Sequence, residues 1–152
     1  MNSLKEKLSQ EIEKLVLGTH FHLMEIKISP SKRFTGIQIF LDRDDGYFSL
    51  QDCRNWSELI QDLIDRNDMI LKDYRLEVSS PGIGRSLKER WEYAKNLEKR
   101  LYVVYRPSEN EIADVSGDLI NVSDDGIGLL IGKNQLSINW AQIQRASVKT
   151  LW

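Results

Sequence analysis

Thiol chemistry has little to work with in this chain. Cys53 is the only cysteine in 152 residues, so no intrachain disulfide can form, and such sparse use suits a reducing cytoplasm. Histidine is almost as scarce, with only His20 and His22. They would share one face of a strand, but the sequence offers no third and fourth ligand at a plausible spacing, so zinc is not expected. Asp42, Asp44 and Asp45 imitate the start of a calcium loop, yet the twelfth position from Asp42 is Cys53, where that loop needs glutamate. No apolar run approaches the roughly 20 residues that cross a bilayer. The opening Met-Asn-Ser-Leu-Lys-Glu-Lys lacks the apolar core of a signal peptide. Repeats and low-complexity tracts are missing as well. Ser79 and Ser80 have no histidine nearby in sequence, and no Gly-x-Ser-x-Gly or phosphate-loop spacing occurs. The expectation is therefore a non-enzyme without cofactor or metal.

A net charge of −2 excludes nucleic-acid binding by bulk electrostatics alone. The charges are nonetheless segregated. Residues 42–77 hold ten acids against five Lys/Arg, and residues 85–106 hold seven Lys/Arg against three acids. An acidic block is thus followed at once by a basic one. Lys88, Arg90, Lys95, Lys99 and Arg100, together with the hairpin tip Lys32-Arg33, are the candidate phosphate-facing residues. No RNP-like aromatic run is present. Phe21, Phe34 and Phe40 read as core or edge residues.

Helix and strand signals divide the chain into two unlike halves. Ser3 and Glu6 have capping-box spacing before the helical series Leu4, Leu8, Ile12, Leu15 and Val16, which Gly18 is placed to end. Phe21–Ser29 and Phe34–Leu41 read as a hairpin around Pro30-Ser31-Lys32-Arg33, with a parity change near Met24 that suggests a bulge. Ser49 with Asp52 opens a second helix with the stripe Cys53, Trp56, Ile60, Leu63 and Ile64. A strand at 74–78 completes an α-β-β-α-β unit. Beyond it, a short helix over 88–97 grouping Trp91, Ala94 and Leu97 precedes five short strands. A helical turn at Trp140–Ile143 leads into the last of them. Five strands with Asp125-Gly126 and Lys133-Asn134 turns favour a small barrel of the SH3-like or Sm-like kind.

Between the halves lies Tyr74-Arg-Leu-Glu-Val-Ser-Ser-Pro-Gly-Ile-Gly-Arg-Ser-Leu87. Pro81 fixes its own φ and extends Ser80, while Gly82 and Gly84 admit positive φ. Ser79, Ser80, Pro81, Gly82, Gly84 and Arg85 therefore form a hinge or an interdomain recognition loop. The run Leu76-Glu-Val-Ser-Ser-Pro-Gly82 resembles that of the bacterial ribosome maturation factor P (RimP) family. That family typically continues Leu-Asp-Arg-Pro-Leu, where this chain has Ile83-Gly84-Arg85-Ser86-Leu87. Arg85 and Leu87 are kept, and the acidic residue and second proline are not, which should loosen the linker.

The resemblance implies an α+β domain over residues 1–80, a linker over 81–88 and an Sm-like barrel domain over 89–152. It implies a monomeric, cytoplasmic, non-catalytic factor for maturation of the small (30S) ribosomal subunit. The partners it implies are the subunit precursor, its 16S rRNA and the strongly basic ribosomal protein at the decoding site. Asp44, Asp45, Asp52, Glu58, Asp62 and Asp65 are the expected face for that protein. Two other readings stay open: a general RNA-binding regulator with an Sm-like domain, and a hydrolase whose residues escape motif reading.

Overall fold

The structure is a computed structural model and describes residues 3–81 and 85–149. The chain divides into two compact units, residues 1–81 and 82–152, each with its own core.

In the first unit, the Ser3 side chain accepts the Glu6 N–H and starts helix α1 (Leu4–Val16). Leu8, Ile12 and Val16 make its buried stripe, and Gly18, at φ +80°, supplies the left-handed residue that ends it. Strands β1 (Phe21–Pro30) and β2 (Thr35–Arg43) form the antiparallel hairpin. A register shift between Leu23 and Glu25 is the bulge that the parity change indicated. Helix α2 (Leu50–Arg66) begins in a capping box: Asp52 N–H donates to the Ser49 hydroxyl, and Ser49 N–H donates to the Asp52 carboxylate. It crosses to β3 (Tyr74–Ser79), which pairs parallel with β2 and gives the order β1-β2-β3.

Thr35, Ile37, Ile39 and Leu41 of β2 are buried and alternate with more open neighbours, so this sheet has one covered face. Both helices pack there: Leu8, Ile12, Trp56, Ile60 and Ile64 join Ile26, Ile37, Ile39 and Val78 in one core. Each such side chain contributes roughly 1.5–3 kcal/mol by leaving water, far more than an exposed ion pair. Neither α1 nor α2 covers the opposite face. Phe40 belongs to it, since it neighbours the buried Ile39 and Leu41 in β2, with Lys27 5.5 Å from its ring centre. Arg75 lies 4.1 Å over Phe34. Phe21 alone of the three sequence-flagged phenylalanines joins the core, edge-on to Phe48 and Trp56.

The second unit opens with α3 (Arg90–Lys95), shorter than the helix expected over 88–97. Its buried residues are Glu92 and Tyr93, not the Trp91, Ala94 and Leu97 grouping read from spacing. The Glu92 carboxylate accepts the Lys88 and Glu89 N–H groups. That capping turns this part of the helix inward, and six residues are too few for a longer stripe to decide the matter. Five strands follow: β4 (Arg100–Tyr105), β5 (Ala113–Val122), β6 (Gly126–Ile131), β7 (Asn134–Asn139) and β8 (Ile143–Val148). They form one antiparallel sheet ordered β7-β6-β5-β4-β8, with a 3-10 turn at Trp140–Gln142 between β7 and β8. Tyr93, Leu101, Val103, Leu119, Leu129 and Ile138 fill its core. Gly126 is required for close pairing: a Cβ there would sit on the Ile138 carbonyl and 2.8 Å from Asn139 Cα. Among the described residues no helix is long and apolar enough to cross a membrane.

Candidate functional site

The turn after β3 is reached directly from the ladder. Ser79 is the last β3 residue, paired with Phe40 and half-buried, while Ser80 is exposed and Pro81 half-buried. Gly82 and Gly84 lie outside the described residues. Arg85 is half-buried, and Leu87 N–H donates to the Ala146 carbonyl at 2.7 Å, so the chain is tied to β8 by that point.

The acidic residues of the first unit fall into two groups. Glu58, Asp62 and Asp65 are exposed on α2. Asp62 meets Arg66 one turn on, and Asp65 accepts the Tyr74 hydroxyl at 2.8 Å. Asp52 differs. It is buried, locked into the capping box, and held by Arg43 Nη1 at 3.0 Å. Burial works to raise its pKa, but the Ser49 N–H and the Arg43 guanidinium outweigh this and leave it lowered. Its carboxylate is thus spent inside the unit and does not form part of an outer acidic face. Asp45 takes the other side of the same guanidinium, at 2.7 Å from Arg43 Nε, and is lowered by that bond.

Asp44 is also committed. Its Oδ1 lies 2.9 Å from His20 Nδ1 and its Oδ2 2.7 Å from His22 Nε2. Hydrogen bonding to His22 is the main cause holding Asp44 below the usual carboxylate value. His20 Nε2 stands a further 3.9 Å from Asp45 Oδ2.

The basic candidates are dispersed. Lys32 and Arg33 are exposed at the β1–β2 turn of the first unit. In the second unit Lys88, Lys99 and Arg100 are exposed and Lys95 is half-buried. Arg90 reaches Asp124 at 3.1 Å and lies 5.6 Å from the Trp140 ring centre. Tyr93 packs edge-on to the same indole. A shallow cleft of about 470 Å³ here is lined by Lys88, Arg90, Tyr93, Trp140 and Arg145.

Residues 11–84 match the family model of the RimP N-terminal domain. The chain belongs to the RimP family. The match takes in α1 from Glu11 onward, the hairpin, α2, β3 and the Ser79-Ser80-Pro81 turn, so the run Leu76–Gly82 is read within a domain of the same kind. RimP proteins are ribosome maturation factors, which assigns the chain to ribosome biogenesis.

Within this RimP domain, sequence reasoning grouped Asp44, Asp45 and Asp52 with the outer acids because each looks free in a linear string. The missed signal was the hairpin register. Asp44 N–H donates to the His20 carbonyl at 2.9 Å, which sets residue 44 beside residue 20.

Proposed function

We propose that this chain is a non-catalytic assembly factor that binds the immature small ribosomal subunit and favours one docking geometry of its RNA and protein. The observation that carries this reading is the RimP N-terminal domain match over residues 11–84, with the Leu-Glu-Val-Ser-Ser-Pro-Gly run near its end. The exposed α2 acids Glu58, Asp62 and Asp65 suit a strongly basic ribosomal protein such as that at the decoding site. Lys32 and Arg33 in the first unit, and Lys88, Lys95, Lys99 and Arg100 in the second, suit 16S rRNA phosphates. Arg90 can serve RNA phosphates too only where RNA displaces Asp124, its fully exposed partner.

The second unit supports an Sm-like barrel. In a flat sheet its edge strands β7 and β8 would stand roughly 19 Å apart, four strand spacings of about 4.8 Å. Only Trp140–Gln142 joins them, in a 3-10 turn, and such a turn advances about 2 Å per residue. The sheet must therefore curl towards closure at that end. The Ser79–Pro81 turn serves as the hinge, and the factor acts as a cytoplasmic monomer.

Cosedimentation of the full chain with immature and mature small subunits at low and moderate salt tests the reading. Preferential retention on immature particles is expected. Binding to neither particle, or equal binding to both, would overturn it.

A further inference from the structure

The β1 bulge has a chemical result at one end of the first sheet. Leu23 and Ile26 both pack against the core, although one is odd-numbered and the other even, because the register shifts between Leu23 and Glu25. On the N-terminal side of that shift it is the even-numbered residues that point away from the core. His20 and His22 therefore stand together on the face that α1 and α2 leave uncovered. The hairpin sets Asp42 opposite His22, and its continuation sets Asp44 beside His20. Every histidine in the chain is thus gathered around one carboxylate.

The arrangement is convergent. His20 Nδ1 and His22 Nε2 address the two oxygens of Asp44 at 2.9 and 2.7 Å. Donor atoms of His20, Asp44 and Asp45 lie within 4.8 Å of one another. A tetrahedral zinc with bonds of roughly 2.0–2.1 Å needs its donors about 3.3 Å apart, so the His20–Asp44 pair at 2.9 Å need open, and the His20–Asp45 pair at 3.9 Å need close, by only about half an ångström. Asp45 also holds Arg43, Oδ1 accepting from Nε and Oδ2 from Nη2, so a cation would share that carboxylate with a guanidinium that Asp52 continues to balance. The site is open: the His20 side chain is 67% exposed and that of His22 34%. Water can complete the coordination, and the exposed imidazole–carboxylate bonds contribute little to holding the hairpin.

We propose that His20, Asp44 and Asp45 form a binding site for a divalent ion of the zinc, cobalt and nickel class, with His22 steadying Asp44 through its other carboxylate oxygen. An imidazole donor favours these ions over magnesium and calcium, which take oxygen donors. The site goes beyond the ribosome-assembly reading and stands or falls separately from it.

Because both histidines belong to the site, their imidazole NMR signals report on it without any substitution. The probe is zinc added to untagged, chelator-treated full chain. One equivalent should shift both imidazoles together, and magnesium should shift neither. Cobalt(II) should give a visible absorption band that zinc abolishes. Asp44→Asn and His22→Gln should each weaken zinc binding by about tenfold or more, while Cys53→Ser leaves it unchanged. Imidazole signals that stay put in excess zinc would overturn the site. So would zinc uptake undiminished by both substitutions in folded protein.

Discussion

Arg43 Nη1 lies 3.2 Å from one carboxylate oxygen of Asp52 and 3.0 Å from the other. This joins the end of β2 to the first turn of α2, across the loop that carries Asp44 and Asp45. The same Asp52 oxygen that meets Arg43 more closely accepts the Ser49 N–H at 2.9 Å, so cap and ion pair share a single group.

Asp52→Asn should therefore destabilise the first unit by about 1.5–3 kcal/mol, the range for hydrogen bonds to a charged group. Hydrogen exchange of α2 amides would report it. Asp52 has a lowered native pKa, so the unfolded chain takes up its proton first as pH falls. The stabilisation is complete above about pH 4 and is lost as pH drops through the native value. The gap between parent and variant should accordingly shrink in acid. A gap independent of pH would mean that the charge of Asp52 is not what stabilises the cap.

Reversal of Asp62 and Asp65 to lysine should weaken binding to the basic ribosomal protein severalfold at low salt, and less at moderate salt. Both are exposed, and neither side chain holds the core, so the fold should survive. Titration of the purified partner at two salt concentrations makes the comparison. Unchanged affinity would remove the acidic face from the interface.

Tyr93 and Tyr74 should resist ionisation. Burial, and then the charge of Glu92, push Tyr93 up to about 12; burial, and then the bond to Asp65, do the same for Tyr74. The native state keeps these phenols protonated where the unfolded chain would lose the protons. Stability should thus fall as pH rises from about 10, the unperturbed tyrosine value, towards 12. Ultraviolet absorbance titration of the native chain should show these two titrating late, together with Tyr102, which its bond to Asp114 also raises. Tyr93→Phe should remove one of them and flatten the alkaline loss of stability.

Gly126→Ala should damage the β6–β7 pairing, because the added methyl meets rigid backbone at Ile138 and Asn139 rather than a side chain that can turn away. A loss of about 1–3 kcal/mol is expected from such overpacking. Gly132→Ala offers a contrast: it meets nothing within 4 Å, but its φ of +62° makes it a test of strain alone. Denaturant melts of the two variants would separate steric from conformational cost.

Much of the first unit was legible because its signals are local. Ser3 and Ser49 announce their helices, the Ile37-Ile39-Leu41 alternation gives the covered face, and the parity change near Met24 marks a bulge. The α3 stripe misled because a capping glutamate, not apolar spacing, decides which residues of a six-residue helix turn inward. The His20–Asp44–His22 cluster was illegible for another reason. Its members are 22 and 24 positions apart, and only a register with the bulge in place brings them together. Likewise Asp52 was half-read: its cap was visible from Ser49, while its second partner, Arg43, belongs to a strand.

The order β7-β6-β5-β4-β8 puts the first strand of the second unit between two others, one of them nearly the last segment of chain described. Leu101 waits for Val148 and Val103 for Ala146. During synthesis β4, β5, β6 and β7 can pair as a meander while one border of β4 stays uncovered until β8 emerges. That border is a template for foreign strands, and pairing across so long a separation is slow to form. A nascent or clipped chain ending before Ile143 is consequently the species most exposed to aggregation.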